Sequence, residues 1–299
     1  MSRPFLRGSW LPGVVLLGLS AAPSGALPLW ELTGTGNRIT VLGSIHLLRA
    51  TDYPLPAAVG KALDGADILV MEIDMDDLDP AASAVTIAGL ARDPRGRSLR
   101  ELVGPEEWPE VSAGARRLGI DIAALGPFEP WYAAIAVTQL RLAQLGFDPS
   151  LGVESRLTAD AGRLGKEIRG LETLEGQLGV LDRLSAAAQR KFLRTTLEEA
   201  AEVDDMADGM ITAWKAADLV ALDRDLLAGV RDQPEVYRAL IVERNEHFAA
   251  TIRELARDDR DYLVVMGTLH LVGPDSVLGM LEETGIGARP IPDAGTAGD

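Results

Sequence analysis

Two short segments of the chain carry one pattern. Val41-Leu42-Gly43-Ser44-Ile45-His46-Leu47 and Val265-Met266-Gly267-Thr268-Leu269-His270-Leu271 each run from an apolar strand through glycine, a small hydroxyl residue and an aliphatic residue to histidine, and they hold two of the 3 histidines in 299 residues. A glycine at a strand end lets the backbone turn tightly, and a histidine three residues on projects from the rim of a sheet, where open α/β proteins bind ligands. One such histidine reads as a core residue; the duplication points to a shared site. Two neutral imidazoles with carboxylates make a donor set suited to Zn, Mn or Co, with an open position for water. The chain has no cysteine. Thiol catalysis, Cys-ligated zinc, iron–sulfur clusters and disulfides are therefore excluded, and any metal must be held by His, Asp and Glu.

The natural carboxylates are Glu72 and Asp74, which leave the apolar run 67–74 with alternate side chains on one face. Glu72 is preferred as ligand or general base because it interrupts a buried strand, where an unpaired charge is costly. Asp74 opens the acidic run Asp74, Asp76, Asp77, Asp79, which reads as a solvated strand end. Glu172 also follows an apolar strand and is a candidate on the same grounds. Arg244 and Asn245 lie in a helical stretch, and a buried Arg in so acidic a chain would neutralise a carboxylate or grip a carbonyl oxygen. His247, on the same stretch, reads as a surface or interhelical residue. Trp30, Trp108, Trp131 and Trp214 read as core, with 127–131 a possible pocket wall. Serine catalysis finds no support: there is no G-x-S-x-G, and Ser44 sits in "GSIH" beside its would-be base with no room for a strand–turn–helix elbow.

The elements that must position these residues follow from periodicity and turn chemistry. Residues 29–33 and 38–42 flank Gly34-Thr35-Gly36-Asn37 and predict a β-hairpin. Pro54 and Pro56 introduce an amphipathic helix with Val59 and Leu63 on one side, leading into the strand 67–74. Further strands are expected at 120–126, 166–172 and 261–273, with an edge strand near 288–291. Helices are expected at 128–145, 186–203, 205–216 and 234–257, the last with Glu235, Arg238, Arg244 and Glu254 interleaved along its wet side. The expected architecture is α/β: a mixed, mainly parallel sheet with flanking helices and a large helical insertion forming a lid or second layer. Its parts are a first half of the core at 27–127, a mainly helical insertion at 128–233 with one core strand near 166–172, and a second half at 234–299.

Charge narrows the partners. Lys and Arg number 29 against 45 Asp and Glu, a formal net charge of −16, which repels phosphate backbones and anionic lipid surfaces and leaves no basic patch for nucleic acid. A metal or a cationic partner suits this balance. Residues 1–26 carry Arg3 and Arg7, an apolar run and Ser24-Gly25-Ala26, the pattern of an export signal. No other stretch approaches a bilayer span. A periplasmic or secreted protein with no stable membrane span after signal cleavage is expected.

The segments "VLGSIHLLRATDYPLPAAVGKALDGADILVMEID", "GLETLEGQLGVLDRL", "YRALIVERNEHFAATI" and "VVMGTLHLVGPDSVLGML" together resemble the TraB/GumN family, whose animal relatives include the Tiki metalloproteases; the likeness runs from about residue 29 to 285. It implies a core related to the erythromycin-esterase-like enzymes and a divalent-metal, peptidase-like site using His46, His270 and Glu72. Arg244 and Asn245 match the family's R-N pair. Gly152-Val153-Glu154 is similar to its G-V-D, with Glu154 in place of Asp, and Gln177 falls in the G-L-E-T segment. With Gly43, Ser44, Gly267 and Thr268 of the paired motifs, these complete the candidate set. The expected activity is a metal-dependent hydrolase acting on a peptide or other small substrate in a cleft: His46, Glu72 and His270 hold Mn, Co or Zn, Glu172 or Glu154 shuttles the proton, and Arg244 with Asn245 stabilises the oxyanion. Two alternatives are a metal-free esterase-like hydrolase with His46 as base and Glu72 orienting it, and a non-catalytic accessory protein that captures a peptide or glycan precursor.

Overall fold

The structure is a computed structural model that describes residues 27–292; the proposed export signal at 1–26 and the tail beyond Pro292 lie outside the described residues. The strands are β1 (Leu29–Thr33), β2 (Ile39–Ser44), β3 (Ile68–Ile73), β4 (Glu167–Glu172), β5 (Tyr262–Gly267) and β6 (Gly287–Pro290). They form one sheet in the order β4-β3-β5-β2-β1-β6. The four strands from β4 to β2 are parallel, while β1 pairs antiparallel with both β2 and β6. The chain is therefore a mixed, mainly parallel α/β protein. The hairpin forms as its turn residues dictate, and β6 closes the edge.

The helices are α1 (Ala57–Gly65), α2 (Pro80–Leu90), α3 (Leu99–Val103), α4 (Trp108–Arg117), α5 (Pro130–Gln144), α6 (Val153–Leu164), α7 (Leu174–Asp182), α8 (Ala186–Lys215), α9 (Leu219–Arg231), α10 (Pro234–Tyr237), α11 (Glu243–Leu255) and α12 (Val277–Glu282). Proline opens α2, α5 and α10 at positions where its missing N–H costs nothing. Apolar strands bury both faces of the sheet, one under Leu42, Leu69, Leu263 and Val265, the other under Val41, Val70, Val264 and Met266. Apart from these, Leu99, Val111, Ala133, Val137, Leu193 and Leu197 of α3, α4, α5 and α8 enclose a helical cluster of their own. Among the described residues, no helix is long and apolar enough to cross a membrane.

Four expectations change. Residues 120–126 form no strand: Ile122–Leu125 is a 3-10 turn whose start is capped by Asp121 Oδ1 accepting from Ala123 N at 3.1 Å, and Ile120 and Ile122 bury into the helical cluster. The apolar run was satisfied by helices rather than by a sheet. The helices expected at 186–203 and 205–216 are one 30-residue helix, α8. The strand expected to reach 273 ends at Gly267, and Thr268–His270 is a 3-10 turn. The helix expected at 234–257 is interrupted by a π-turn at Arg238–Val242. That turn inserts one residue relative to an unbroken α-helix, and Arg244 is buried against carboxylates, as its reading as a buried counter-ion expected, and not on the wet side of the helix.

Candidate metal and acid–base centre

The repeated motifs lie side by side. Parallel pairing of β2 with β5 sets Gly43 against Met266 and Ser44 against Gly267, so both histidines leave the sheet at its C-terminal end. The Thr268 hydroxyl donates to the Ser44 carbonyl at 2.9 Å and ties the two turns together. Neither motif glycine has a positive φ; each is required for close approach. A Cβ on Gly43 would lie 2.9 Å from Thr268 Oγ1, and one on Gly267 would lie 3.2 Å from Glu72 Oε1 and 3.4 Å from His46 Nε2. Trp214 of α8 donates its indole N–H to the Gly43 carbonyl at 2.8 Å, a support that sequence pattern did not suggest. Trp30, Trp131 and Trp214 are buried; Trp131 sits in a helical cluster rather than at a pocket wall.

Residues 45–48 then zip against the segment leading into α6. Val153 N donates to Ile45 O at 3.1 Å, and Asp148 N to Leu48 O at 2.9 Å. This lays His46 over the first turn of α6, where Glu154 accepts from His46 Nδ1 at 2.7 Å and from the Ser44 hydroxyl. A side chain at Gly152 would overlap the His46 carbonyl group. That carbonyl belongs to the backbone and cannot swing aside, so Gly152→Ala is expected to cost about 1–3 kcal/mol, measured as a lower urea midpoint with unchanged slope.

Glu72, from β3, is buried at the centre of the site. Its Oε1 accepts from Gly267 N at 2.6 Å, and its Oε2 accepts from Arg244 Nη2 at 2.6 Å and from Gln177 Nε2 at 2.9 Å. Glu172, at the end of the neighbouring β4, takes Arg244 Nε at 3.1 Å and Gln177 Nε2 at 3.1 Å. Arg244 therefore bridges two buried carboxylates, and its guanidinium lies 5.3 Å from the Phe248 ring centre. Asn245 turns the other way: its Nδ2 donates to Asp275 O at 2.6 Å and its Oδ1 lies 2.6 Å from His270 Nδ1. Because the amide nitrogen is committed to carbonyls, Oδ1 is the acceptor and His270 carries its proton on Nδ1. His270 Nε2 is left buried without a hydrogen bond, 3.7 Å from Glu72 Oε1.

Electrostatics follow from this packing. Burial pushes the Glu72 carboxyl up, but His270, His46, Arg244 and the Gly267 N–H outweigh it and hold its pKa at about 2. The Glu154 charge raises His46 to about 9. Burial works against the Glu154 carboxylate, yet His46 and Ser44 keep it below its ordinary range. Burial drives His270 down to about 3 and raises Glu172.

His270 contributes acid lability, opposed by His46 and Asp74, whose folded values of about 9 and about 6 lie above their unfolded ones. Its unfolded value is 6.5 and its folded value about 3, so between these pH values the unfolded chain binds a proton that the folded chain refuses. The His270 contribution to stability should then fall on acidification by up to about 1.4 kcal/mol per pH unit for one proton. Urea titrations of wild type and His270→Gln between pH 7 and pH 5 should show that slope reduced in the variant. Glu72 adds to acid lability only below 4.5, its unfolded value.

The remaining candidates stand apart. Asp74 is raised to about 6 by burial and by its hydrogen bond with Asp76, and pairs there rather than with the cluster. His247 Nε2 meets the Leu171 carbonyl at 2.8 Å, tying α11 to β4. The Ser44 hydroxyl donates to Glu154.

Chemistry and charge test whether a divalent metal suits these residues. His46 Nε2 and Glu72 Oε1 share the space over Gly267, His270 Nε2 is an orphaned buried nitrogen beside the same oxygen, and each ring has its Nδ1 held by an acceptor, the usual support for an imidazole ligand. Three carboxylates (Glu72, Glu154, Glu172) against the Arg244 guanidinium and the His46 imidazolium leave one uncompensated negative charge. Among the described residues, no group of three or more His, Asp or Glu stands close enough together to hold a metal ion, so the fit rests on donor type, the orphaned nitrogen and charge.

Comparison with known proteins covers nearly the whole described chain. It is 25% identical over 255 residues to the Escherichia coli (strain K12) protein YbaP, an alignment spanning 85% of this chain and 92% of that one. It is 22% identical over 283 residues to a Treponema pallidum (strain Nichols) protein, spanning 87% and 84%. The TraB/PrgY/gumN family profile matches residues 28–290, a span that includes both histidine motifs, Glu72, Glu172 and Arg244-Asn245, and the chain belongs to the TraB/PrgY/gumN family.

Proposed function

We propose that the protein is a divalent-metal-dependent hydrolase of peptide bonds, exported to the periplasm or the cell exterior. The observation that carries this reading is the placement of His46 Nε2 and Glu72 Oε1 over Gly267, with the orphaned His270 Nε2 3.7 Å from the same Glu72 oxygen. These three side chains would hold the ion, Mn, Co or Zn by donor type. When bound, such an ion supplies Lewis acidity, polarising a carbonyl and acidifying water. Export rests on the basic and apolar pattern of residues 1–26.

The chain's own residues divide the remaining work. Glu154 Oε2 is buried and makes no hydrogen bond, so Glu154, through its contact with His46 Nδ1, is the group best placed to take and return a proton. Glu172 is committed to Arg244 and Gln177, which makes it a counter-charge rather than a shuttle. Arg244 and Asn245 hold Glu72 and His270 in place; Asn245 is fully buried behind His270, so in this reading it acts by positioning rather than as an oxyanion donor. The metal-free alternative is less favoured because Glu154, not Glu72, orients His46.

Elemental analysis tests the proposal on protein purified without chelator or a histidine-rich tag, beside His46→Ala, whose half-exposed ring is removable without opening the core. Near-stoichiometric Mn, Co or Zn in wild type, lost in the variant, together with cleavage of a peptide mixture that chelation stops, is expected. No metal after reloading overturns the metal site; metal with every peptide recovered intact overturns the hydrolase and leaves a binder.

A further inference from the structure

The turn that carries His46 is held at a point where the sheet cannot hold it. Continuing the β1–β2 register from Leu29 against Leu42 by one residue sets Gly43 opposite Pro28, and Gly43 N donates to Pro28 O at 2.7 Å. An antiparallel pair of this kind exchanges two hydrogen bonds, but proline has no N–H to return. The Gly43 carbonyl therefore lacks its ladder donor in a buried stretch of backbone, where an unpaired carbonyl is costly. Trp214 Nε1 supplies the donor at 2.8 Å, from an indole with no exposed surface.

The same helix reaches the far end of the turn. Asp208 of α8 accepts from Arg49 Nη1 at 2.6 Å, but its side chain is 76% exposed, so that ion pair contributes little. The buried indole bond is the stronger tie. Ala207, Ile211 and Ala213 of α8 belong to the same core as Leu48, whereas Leu193, Leu197 and Ala200, nearer its start, belong to the helical cluster with α3, α4 and α5. One helix thus joins that cluster to the backbone that bears His46.

We propose that Trp214 is a positioning residue for the candidate metal centre: its indole N–H replaces the donor that Pro28 lacks, fixes the Gly43–Ser44 peptide, and so sets where His46 Nε2 stands over Gly267. Without the indole N–H, the Gly43 carbonyl must turn toward another donor. Rotation of that peptide displaces Ser44 and its bond to Glu154, the carboxylate that holds His46 Nδ1. That the positioned ring is a metal ligand rests on the function proposed above; the placement of the ring does not.

The chain has 3 histidines, so NMR of the histidine ring nitrogens in metal-free protein separates His46 from His247 and His270, with His46→Ala assigning its signals. Trp214→Phe keeps an aromatic ring and loses the donor. It should move the His46 resonances, leave those of His247, and lower divalent-metal affinity by about tenfold or more. Pro28→Ala, added to Trp214→Phe, gives the Gly43 carbonyl a backbone donor and should return the His46 resonances and the metal affinity toward wild type. Leu197→Ala, which loosens the same helix in the distant cluster, should lower the urea midpoint without moving His46. Unmoved His46 resonances in Trp214→Phe, no rescue by Pro28→Ala, or an equal shift in Leu197→Ala would each overturn the proposal. If wild type binds no metal, the metal reading fails while the metal-free spectra still decide the role of Trp214.

Discussion

Glu72→Gln is expected to lose at least about 100-fold in divalent-metal affinity, more than the loss of a supporting group around a metal site gives, and to lower stability by about 3 kcal/mol. Both carboxylate oxygens are in use, Oε1 by Gly267 N and Oε2 by Arg244 and Gln177. An amide has one acceptor oxygen. Whichever way Gln is turned, its NH₂ faces donors already aimed at that position, either the buried peptide N–H or the guanidinium. The loss is therefore chemical rather than steric. Metal titration and urea unfolding of the same preparation separate the two effects: a variant that unfolds earlier but binds metal as wild type does would remove Glu72 from the ligand set and leave it a purely structural anion.

Arg244→Met should be comparably damaging, about 3–5 kcal/mol at pH 7, because it leaves Glu72 and Glu172 buried side by side without their cation. The two carboxylates cannot both stay ionised cheaply, so one rises in pKa. A folded-state carboxyl raised above its unfolded value takes up a proton that the unfolded chain does not, and stability then increases as pH falls toward that unfolded value. The His270 contribution, present in wild type and variant alike, runs the opposite way and cancels in their difference. The difference between Arg244→Met and wild type should therefore narrow from pH 7 to pH 5, and Arg244→Met with Glu172→Gln should recover part of it at pH 7. A difference independent of pH would assign Arg244 a packing role over Phe248 instead.

The centre's components were legible in the sequence because they are local signals. The twin motif around His46 and His270, a glutamate inside an apolar strand and a strand ending in Glu172 each break a pattern that burial alone would keep. The hairpin, β3, β4 and β6 were equally visible, since turn residues and continuous apolar runs mark them without reference to distant chain. The run 120–126 shows the limit: an apolar stretch of that length suits a strand or a helical core, and only the packing around it chose the helical cluster.

Partner choice was decided by tertiary structure. Sequence placed His46, Glu72 and His270 together, but a parallel β2–β5 register was needed to bring both rings to one end of the sheet. Sequence offered Glu72 as the carboxylate orienting His46; the zipper between 45–48 and the entry to α6 gave that ring to Glu154 instead. A π-turn precedes α11, a shift of one residue that periodicity cannot register, and Arg244 lies buried just after it. Residue type along a chain limits which chemistry is available, because donors, acceptors and charges are properties of single side chains. Which of them meet depends on strand register and helix phase, and these are set by contacts between segments more than a hundred residues apart.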